Sequence, residues 1–281
     1  MRALEYANQA SQIFILSDSF IRIKELIDNE TSTIDDIAEV ILIDPALSAA
    51  ILKLANSSFF NYPGKVDTIS KAVLVLGITE VYNLVMSYFT TQAFKEMVAD
   101  AAYLEEFWEQ SVDCALLVKS LGVALKLPNA ERLFILGLLH NLGELVVKQL
   151  APEKVDGCLS KNISELPWVK QIEVLGFTYA ECTAELLKIW QLPFSIIEPI
   201  RYQDNEHIDI AANETKLLFV AKRIMVNNYV YPKEPLTKLV TEEFLENFGV
   251  DKDKIRAANQ FCDMERLGLL SVLKPSSVMI Y

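Results

Sequence analysis

Apolar residues recur every three or four positions along most of the chain, which is the spacing of amphipathic helices. The clearest case begins at Leu104, from which apolar positions advance by three or four to Val118. This stripe predicts one long helix that reaches about Lys126. No strand-like alternation occurs before the last few residues. The pattern therefore predicts an all-α fold, a compact bundle of many helices.

Capping residues locate several helix starts in the first third of the chain. Thr33 precedes two acidic residues, which suit the positive end of a helix dipole. Asp44 can accept hydrogen bonds from the first free amides of a helix, and Pro45 suits its first position. A short helix is predicted at 68–76, ended by Gly77, and Thr79 is predicted to cap a longer helix.

The same pattern continues to the end of the chain. It predicts helices at 130–139, 152–160, 167–175, 179–190, 192–200, 209–229, 235–248 and 251–273. An aromatic loop at 59–62 interrupts the pattern earlier in the chain. Such a cluster either covers the core or forms a contact surface, and the sequence leaves both open.

Composition narrows the class of protein. The 281 residues are 52% hydrophobic, with nine glycines, which suits one large domain or two smaller ones and argues against a loop-rich β fold. The net charge of −12 argues against nucleic-acid binding. Ile78–Phe94, the second helix of a helix-turn-helix-like stretch, also carries no lysine or arginine.

We further expect a cytoplasmic protein without a membrane-spanning segment. The start lacks the apolar core of a signal peptide, and the longest charge-free apolar runs fall short of the roughly 18–20 residues that a spanning helix needs. Four scattered cysteines contain no CxxC pair, so we expect reduced, mostly buried thiols.

His140 is the most informative polar residue, because it is one of two histidines and lies in an otherwise apolar run. A buried imidazole needs partners. It is either part of a metal site or a hydrogen-bonded core histidine, and a metal site requires at least three converging ligands. Gly137 and Gly143 bracket His140 and predict tight helix packing with a change of direction there.

Several segments, in order, resemble the HDOD domain family over roughly residues 13–205. They are Ile43–Phe59, with Asp-Pro and Asn-Ser pairs, then Ile69–Gly77, Phe107–Ser111, Gly137–Gly143 and Glu173–Pro193. The residues that carry the resemblance are Asp44, Pro45, Asn56, Ser57, Gly77, Trp108, Gly137, Gly143, Trp190 and Pro193. The resemblance implies an all-helical bacterial signalling module related to the HD metal-dependent phosphohydrolases.

The chain departs from the metal-binding HD pattern at almost every position where that pattern places a ligand. The positions are Gln110, His140, Asn141, Tyr179, Gln203 and Asp204, of which only His140 retains the histidine of the pattern. Glu144 also stands where a lysine follows in the HD enzymes. Amides and a tyrosine are poor ligands for two divalent cations. Beside His140, only Asp204 or Asp113 could serve, and His207 lies in a polar loop where we expect it to be solvated.

We therefore expect no catalytic residue, no bound metal and no cofactor. The polar residues of the former site are expected to hydrogen-bond to one another. Two alternatives stay open: a residual phosphohydrolase that uses His140, and a pocket that binds a nucleotide without turnover.

The predicted organisation has an HDOD domain at 1–210, made of an N-terminal helical lobe at 1–100 and an HD-like lobe at 101–210. A helical extension at 211–281 is predicted to pack on the HD-like lobe. The predicted function is signalling by binding of unidentified proteins. No receiver, cyclase or phosphodiesterase signature is attached, so we expect the input signal to arrive from another molecule.

Overall fold

The computed structural model describes residues 2–13, 18–29, 32–57, 62–95, 100–128, 133–160, 162–163, 165–205 and 207–273. Helices account for nearly all regular structure in these ranges, and no strand occurs there. The predicted all-α class is confirmed. Residues 59–61 of the aromatic loop and residues 274–281, with their strand-like pattern, lie outside the described residues.

The chain groups into two compact units. The first contains residues 1–14 and 98–264, and the second contains residues 15–97 and 265–281. The predicted lobes differ from these units, because they place residues 1–14 in the N-terminal lobe and 211–281 in a separate extension.

The first unit is built from one helix at the start of the chain and the series from residue 101 onward. Its helices are α1 (Ala3–Ile13), α7 (Ala101–Ala124), α8 (Phe134–Leu139), α9 (Leu142–Leu150), α10 (Pro152–Cys158), α11 (Pro167–Leu175), α12 (Tyr179–Ile189), α13 (Phe194–Tyr202), α14 (Asn213–Tyr229), α15 (Glu242–Phe248) and the part of α16 (Lys252–Leu273) up to residue 264. Helix α7 is central: residues 111–119 are all buried, and it packs against α8 and α14.

Two glycines set how closely the helices of the first unit approach. A Cβ atom on Gly137 would lie 2.4 Å from the Cα of Ala115 in α7, and one on Gly143 would lie 2.2 Å from the carbonyl oxygen of Tyr179 in α12. Real Cβ atoms do not come so close, so only glycine fits at either position. The predicted tight packing on both sides of His140 is confirmed.

The second unit contains α2 (Asp18–Asp28), α3 (Ile34–Ile43), α4 (Pro45–Ala55), α5 (Ile69–Leu76), α6 (Ile78–Lys95) and the end of α16. Its predicted caps are largely confirmed. Thr33 forms a capping box with Asp36, and Asp44 accepts hydrogen bonds from the amides of Ala46 and Leu47 at 2.9 and 3.0 Å. Gly77, with a φ of 85°, ends α5.

Asn56 joins the end of α4 to the following loop. Its side-chain nitrogen donates to the carbonyl oxygens of Leu52 and Val66, at 2.7 and 2.6 Å. Its side-chain oxygen accepts from the amide of Val66 at 2.8 Å. The Asn56 side chain therefore bonds to both the amide and the carbonyl of Val66 and fixes the loop at that residue.

Some predicted boundaries are wrong. Thr79 lies inside α6, which begins directly after Gly77. The predicted helix at 209–229 starts at Asn213, after a 3₁₀ turn at Ile208–Ile210 and two extended residues. The predicted helix at 235–248 is a 3₁₀ turn followed by α15, because the Thr241 side chain accepts from the amide of Phe244 and starts a new helix there. The sequence pattern does not predict helix α1.

In the described ranges, no single helix is long and apolar enough to cross a membrane. Helices α5 and α6 pass that test only when taken together, and they are bent by 115° at Gly77. All four cysteines are free and buried.

Candidate functional site

His140 lies in the turn between α8 and α9, flanked by the closely packed Gly137 and Gly143. Its Nδ1 is 2.6 Å from the carbonyl oxygen of Gly137. A carbonyl can only accept, so Nδ1 carries the proton and Nε2 carries the lone pair. The side chain is 1% exposed, and burial, aided by the positive charge of Lys222, lowers its pKa to about 3. His140 is therefore neutral.

Asn141 and Glu144 form a polar group beside this turn. Nδ2 of Asn141 donates to one carboxylate oxygen of Glu144 at 2.5 Å, and the hydroxyl of Tyr103 donates to the other at 2.6 Å. Burial raises the pKa of Glu144, while both donors oppose that rise. Lys148 adds a cation 4.2 Å from the centre of the Tyr103 ring.

The predicted site residues bond mostly outside their own set. Gln110 donates to Glu106 at 3.3 Å, and the hydroxyl of Tyr179 pairs with the thiol of Cys158. The exception is Gln203, whose Nε2 donates at 2.8 Å to the backbone oxygen of His140. The expected network among these side chains is therefore wrong, because no hydrogen bond in the described chain joins two of them, and Nε2 of His140 and Oε1 of Gln203 have no partner there at all.

A buried ion pair lies behind the histidine. Asp204, just after α13, accepts from the ammonium of Lys222 in α14 at 2.7 Å, and both side chains are less than a tenth exposed. Arg223 lies 4.0 Å from the same carboxylate and donates to backbone oxygens of Gln203, Phe219 and Leu239. Burial lowers the pKa of Arg223 to about 9, so it remains charged at neutral pH.

A cavity of about 370 Å³ brings four of the predicted residues together. They are Gln110, His140, Asn141 and Tyr179, and the cavity is also lined by Lys222, Glu144, Tyr103 and Trp168. Gln203 and Asp204 do not line the cavity, but each bonds to a residue that does, Gln203 to the backbone oxygen of His140 and Asp204 to Lys222. Asp113 accepts from the hydroxyl of Tyr229 at 2.7 Å, and His207 is exposed on the surface.

This set of residues does not fit the two metal ions of an HD phosphohydrolase. Such a centre needs several anionic or imidazole ligands. In the described chain, no three His, Cys, Asp or Glu side chains converge as metal ligands. The cavity offers Nε2 of His140, but it also holds the ammonium of Lys222, which would repel a divalent cation.

Sequence reasoning does not identify Lys222, Arg223 or Trp168. The guanidinium carbon of Arg223 lies 4.4 Å from the centre of the Trp168 ring, and the nitrogen of Lys222 lies 5.3 Å from it. The sequence does contain a usable signal, because Lys222 and Arg223 are adjacent cations within the apolar run Leu217–Met225. Buried cations in an acidic chain are unusual and indicate specific partners.

The structure defines an all-α domain with a buried, partly polar cavity beside the turn that holds His140. The HDOD domain model matches residues 13–206, and the chain belongs to this family. A protein of Treponema pallidum is 29% identical over 211 residues, which are 72% of this chain. The chain spans 40% of the length of that relative.

Solved structures show the same fold. An HDOD domain protein from Geobacter sulfurreducens has a TM-score of 0.72 at 18% identity, with 97% of each chain covered. A protein from Shewanella amazonensis, whose name proposes a phosphohydrolase, has a TM-score of 0.71 at 24% identity, covering 96% of this chain and 97% of its own. A protein from Marinobacter aquaeolei, whose name proposes signal transduction, has a TM-score of 0.68 at 23% identity, covering 96% of this chain and 65% of its own.

Proposed function

We propose that this chain is a bacterial, cytoplasmic signalling module that binds another protein and does not hydrolyse phosphate esters. One observation carries the non-catalytic part: the cavity at the HD position holds the ammonium of Lys222 together with the amides of Gln110 and Asn141. An HD hydrolase uses metal ions there to lower the pKa of a bridging water. A lysine in the cavity opposes metal binding, and neutral amides cannot balance the charge of two cations.

The direct test of this part is metal content with a hydrolysis assay. The chain is purified without chelators, its metals are measured by mass spectrometry, and hydrolysis of bis(p-nitrophenyl) phosphate is followed with added Mn²⁺, Fe²⁺ or Mg²⁺. We expect less than stoichiometric metal and no turnover above a buffer control. Stoichiometric metal that disappears in His140→Ala, accompanied by turnover, would establish an unconventional hydrolase instead.

Protein binding is supported by exposed apolar side chains on the second unit. Helices α3 and α5 pack against each other and expose Leu42, Ile43 and Leu74, which are 59%, 72% and 71% exposed. Large apolar side chains exposed on helices that pack against each other are candidates for an interaction surface. This unit is also the part of the chain that contains the Asp44-Pro45 and Asn56-Ser57 signature.

The partner hypothesis is tested by comparing two matched charge substitutions. Leu74→Glu changes the proposed surface, and Leu267→Glu changes a leucine on α16 that is 77% exposed in the same unit. Proteins retained from source-cell extract by the wild type should be lost with Leu74→Glu and kept with Leu267→Glu. Equal retention by both variants would exclude this surface as the binding site.

A further inference from the structure

The cavity of the first unit contains a buried acceptor that lacks a partner. Nε2 of His140 has no hydrogen-bond partner in the described chain, although the side chain is almost completely buried and lines the cavity. The bond from Nδ1 to Gly137 fixes Nε2 as the lone-pair atom. A buried acceptor without a partner costs free energy. The site is therefore suited to a molecule that supplies a hydroxyl or N–H donor.

The same cavity contains a buried donor with spare capacity. An ammonium has three N–H groups, and the bond from Lys222 to Asp204 uses one of them. Arg223 lies beside the same carboxylate, so two buried cations face one buried aspartate. Because Arg223 shares Asp204, this carboxylate does not fully neutralise the ammonium of Lys222, which lines the cavity and can contact an anionic group.

The remaining walls set the size and polarity of an occupant. Trp168 and Tyr179 provide aromatic surface, whereas Glu106 and Asp156 add acceptors. A volume of about 370 Å³ lies near the lower end of the range for small-molecule sites. A compact molecule with one anionic group and several donors matches both the ammonium of Lys222 and the acceptor Nε2 of His140.

We propose that this cavity binds, without a metal ion, a small organic anion that carries hydroxyl or N–H donors. Lys222 contacts its anionic group, and Nε2 of His140 accepts a hydrogen bond from one of its donors. The inference rests on the proposed non-catalytic function, because it gives the altered HD cavity a ligand in place of metal ions. Phosphate monoesters and hydroxycarboxylates share this chemistry, and the experiment separates them.

The test uses the full chain labelled with ¹⁵N-histidine, in buffer containing EDTA. The chain has two histidines, so the imidazole nitrogens of His140 can be assigned with His207→Gln as the reference. The phosphate probes are ribose 5-phosphate, AMP and GMP, and the carboxylate probes are citrate and tartrate. Ribose and adenosine serve as uncharged probes. Binding is measured in parallel by calorimetry.

We expect one charged series to bind saturably and to shift the Nε2 signal upfield, as hydrogen bonding to a lone-pair nitrogen does. The uncharged probes should bind at least roughly tenfold more weakly, the factor for one charged hydrogen bond. If the phosphate series alone binds, the ligand class is a phosphate ester, and if the carboxylate series alone binds, it is a hydroxycarboxylate. Uncharged probes that bind equally well would overturn the role of Lys222.

Two variants locate the binding. His140→Asn keeps a donor for the Gly137 carbonyl and removes the Nε2 acceptor. Lys222→Met combined with Asp204→Asn removes the ammonium without leaving a buried carboxylate unpaired. Each should weaken binding at least roughly tenfold, whereas His207→Gln should bind as the wild type does.

The outcomes also separate this inference from the proposed function. If no probe binds and the Nε2 signal does not move, the ligand inference is wrong, while a metal-free, inactive protein would still support the signalling proposal. If the purified chain contains stoichiometric metal held by His140, the proposed function is wrong. The proposal that the cavity binds an organic anion without a metal ion is then wrong as well. Binding that persists in both variants would place the ligand elsewhere and overturn the inference.

Discussion

The amide of Asn141 donates a 2.5 Å hydrogen bond to the carboxylate of Glu144, three residues later in the chain. In the HD enzymes that this family resembles, an aspartate and a lysine stand at these two positions. This chain has a neutral amide at the first position and a carboxylate at the second. The two departures are chemically complementary, since each residue supplies what the other needs.

This pair gives the first prediction. Asn141→Asp places a second carboxylate against the buried Glu144 and removes its donor. We expect the free energy of unfolding at pH 8 to fall by roughly 3 kcal/mol, and by less at pH 5, where one carboxyl can hold a proton. Urea unfolding at both pH values measures the effect.

The control is the double variant Asn141→Asp with Glu144→Gln. It restores one donor and one acceptor in reversed order, so most of the lost stability should return. If Asn141→Asp alone unfolds like the wild type, Asn141 and Glu144 do not interact as described.

The second prediction concerns Gly143. A Cβ atom at this position would lie 2.2 Å from the backbone oxygen of Tyr179, and neither backbone can easily move, because the amide of Gly143 also donates to Thr183 at 2.8 Å. We expect Gly143→Ala to lower the free energy of unfolding by roughly 3 kcal/mol, at the upper end of the cost of overpacking. Fluorescence of the buried Trp108 and Trp190 should report the loss of packing.

Gly268→Ala is the matched control. Gly268 lies on α16 with open space around its Cα, so alanine should raise stability by about 1 kcal/mol through its better helix propensity. A loss of stability as large as that of Gly143→Ala would show that glycine replacement in general, and not the contact with Tyr179, is responsible.

These sites also show what the sequence can predict. Local rules are sufficient where a residue acts on its own helix end, as Thr33 and Asp44 do. The glycines around His140 can be identified because a glycine inside an apolar helical run is costly unless a neighbouring helix needs the space. In the first unit, prediction fails where a partner comes from a distant segment, as with Lys222, which reaches Asp204 only after α14 packs beside α13.

Helix α1 is not predicted, for a different reason. Its buried face consists of Tyr6, Ala7 and Ala10. Two of these are alanines, which add little to a pattern of large apolar residues at helical spacing. The position of α1 depends on packing against α12 and on the ring of Tyr6, which lies 5.1 Å from that of Phe177, just before α12. Periodicity along one segment carries no information about such a contact.

The third prediction concerns Asn56, which bonds to both backbone groups of Val66 and to the carbonyl of Leu52. Asn56→Ala leaves these groups without their partner, so we expect a loss of roughly 1–3 kcal/mol in the free energy of unfolding. Asn228→Ala, which removes one exposed side-chain bond to Asn259, should change stability by less than about 0.5 kcal/mol. Equal effects in thermal melts would mean that the loop at Val66 does not depend on Asn56.

The last prediction is a pH dependence that originates from His140. Its folded-state pKa is lowered to about 3, below the 6.5 of an unfolded histidine. Between these values the unfolded chain binds a proton that the folded chain does not, so this contribution to stability is complete above pH 6.5 and is lost as the pH falls. The maximum slope is about 1.4 kcal/mol per pH unit.

The difference in free energy of unfolding between wild type and His140→Asn isolates this effect, because Glu144, whose raised pKa acts in the opposite direction, is present in both. We expect the difference to be constant above pH 6.5. Below that pH, the wild type should lose stability relative to His140→Asn. His207→Gln should run parallel to the wild type, since it keeps His140. A difference that does not vary between pH 7 and pH 4 would mean that His140 has the same pKa in the fold as in the unfolded chain, so that burial does not keep its imidazole neutral on acidification.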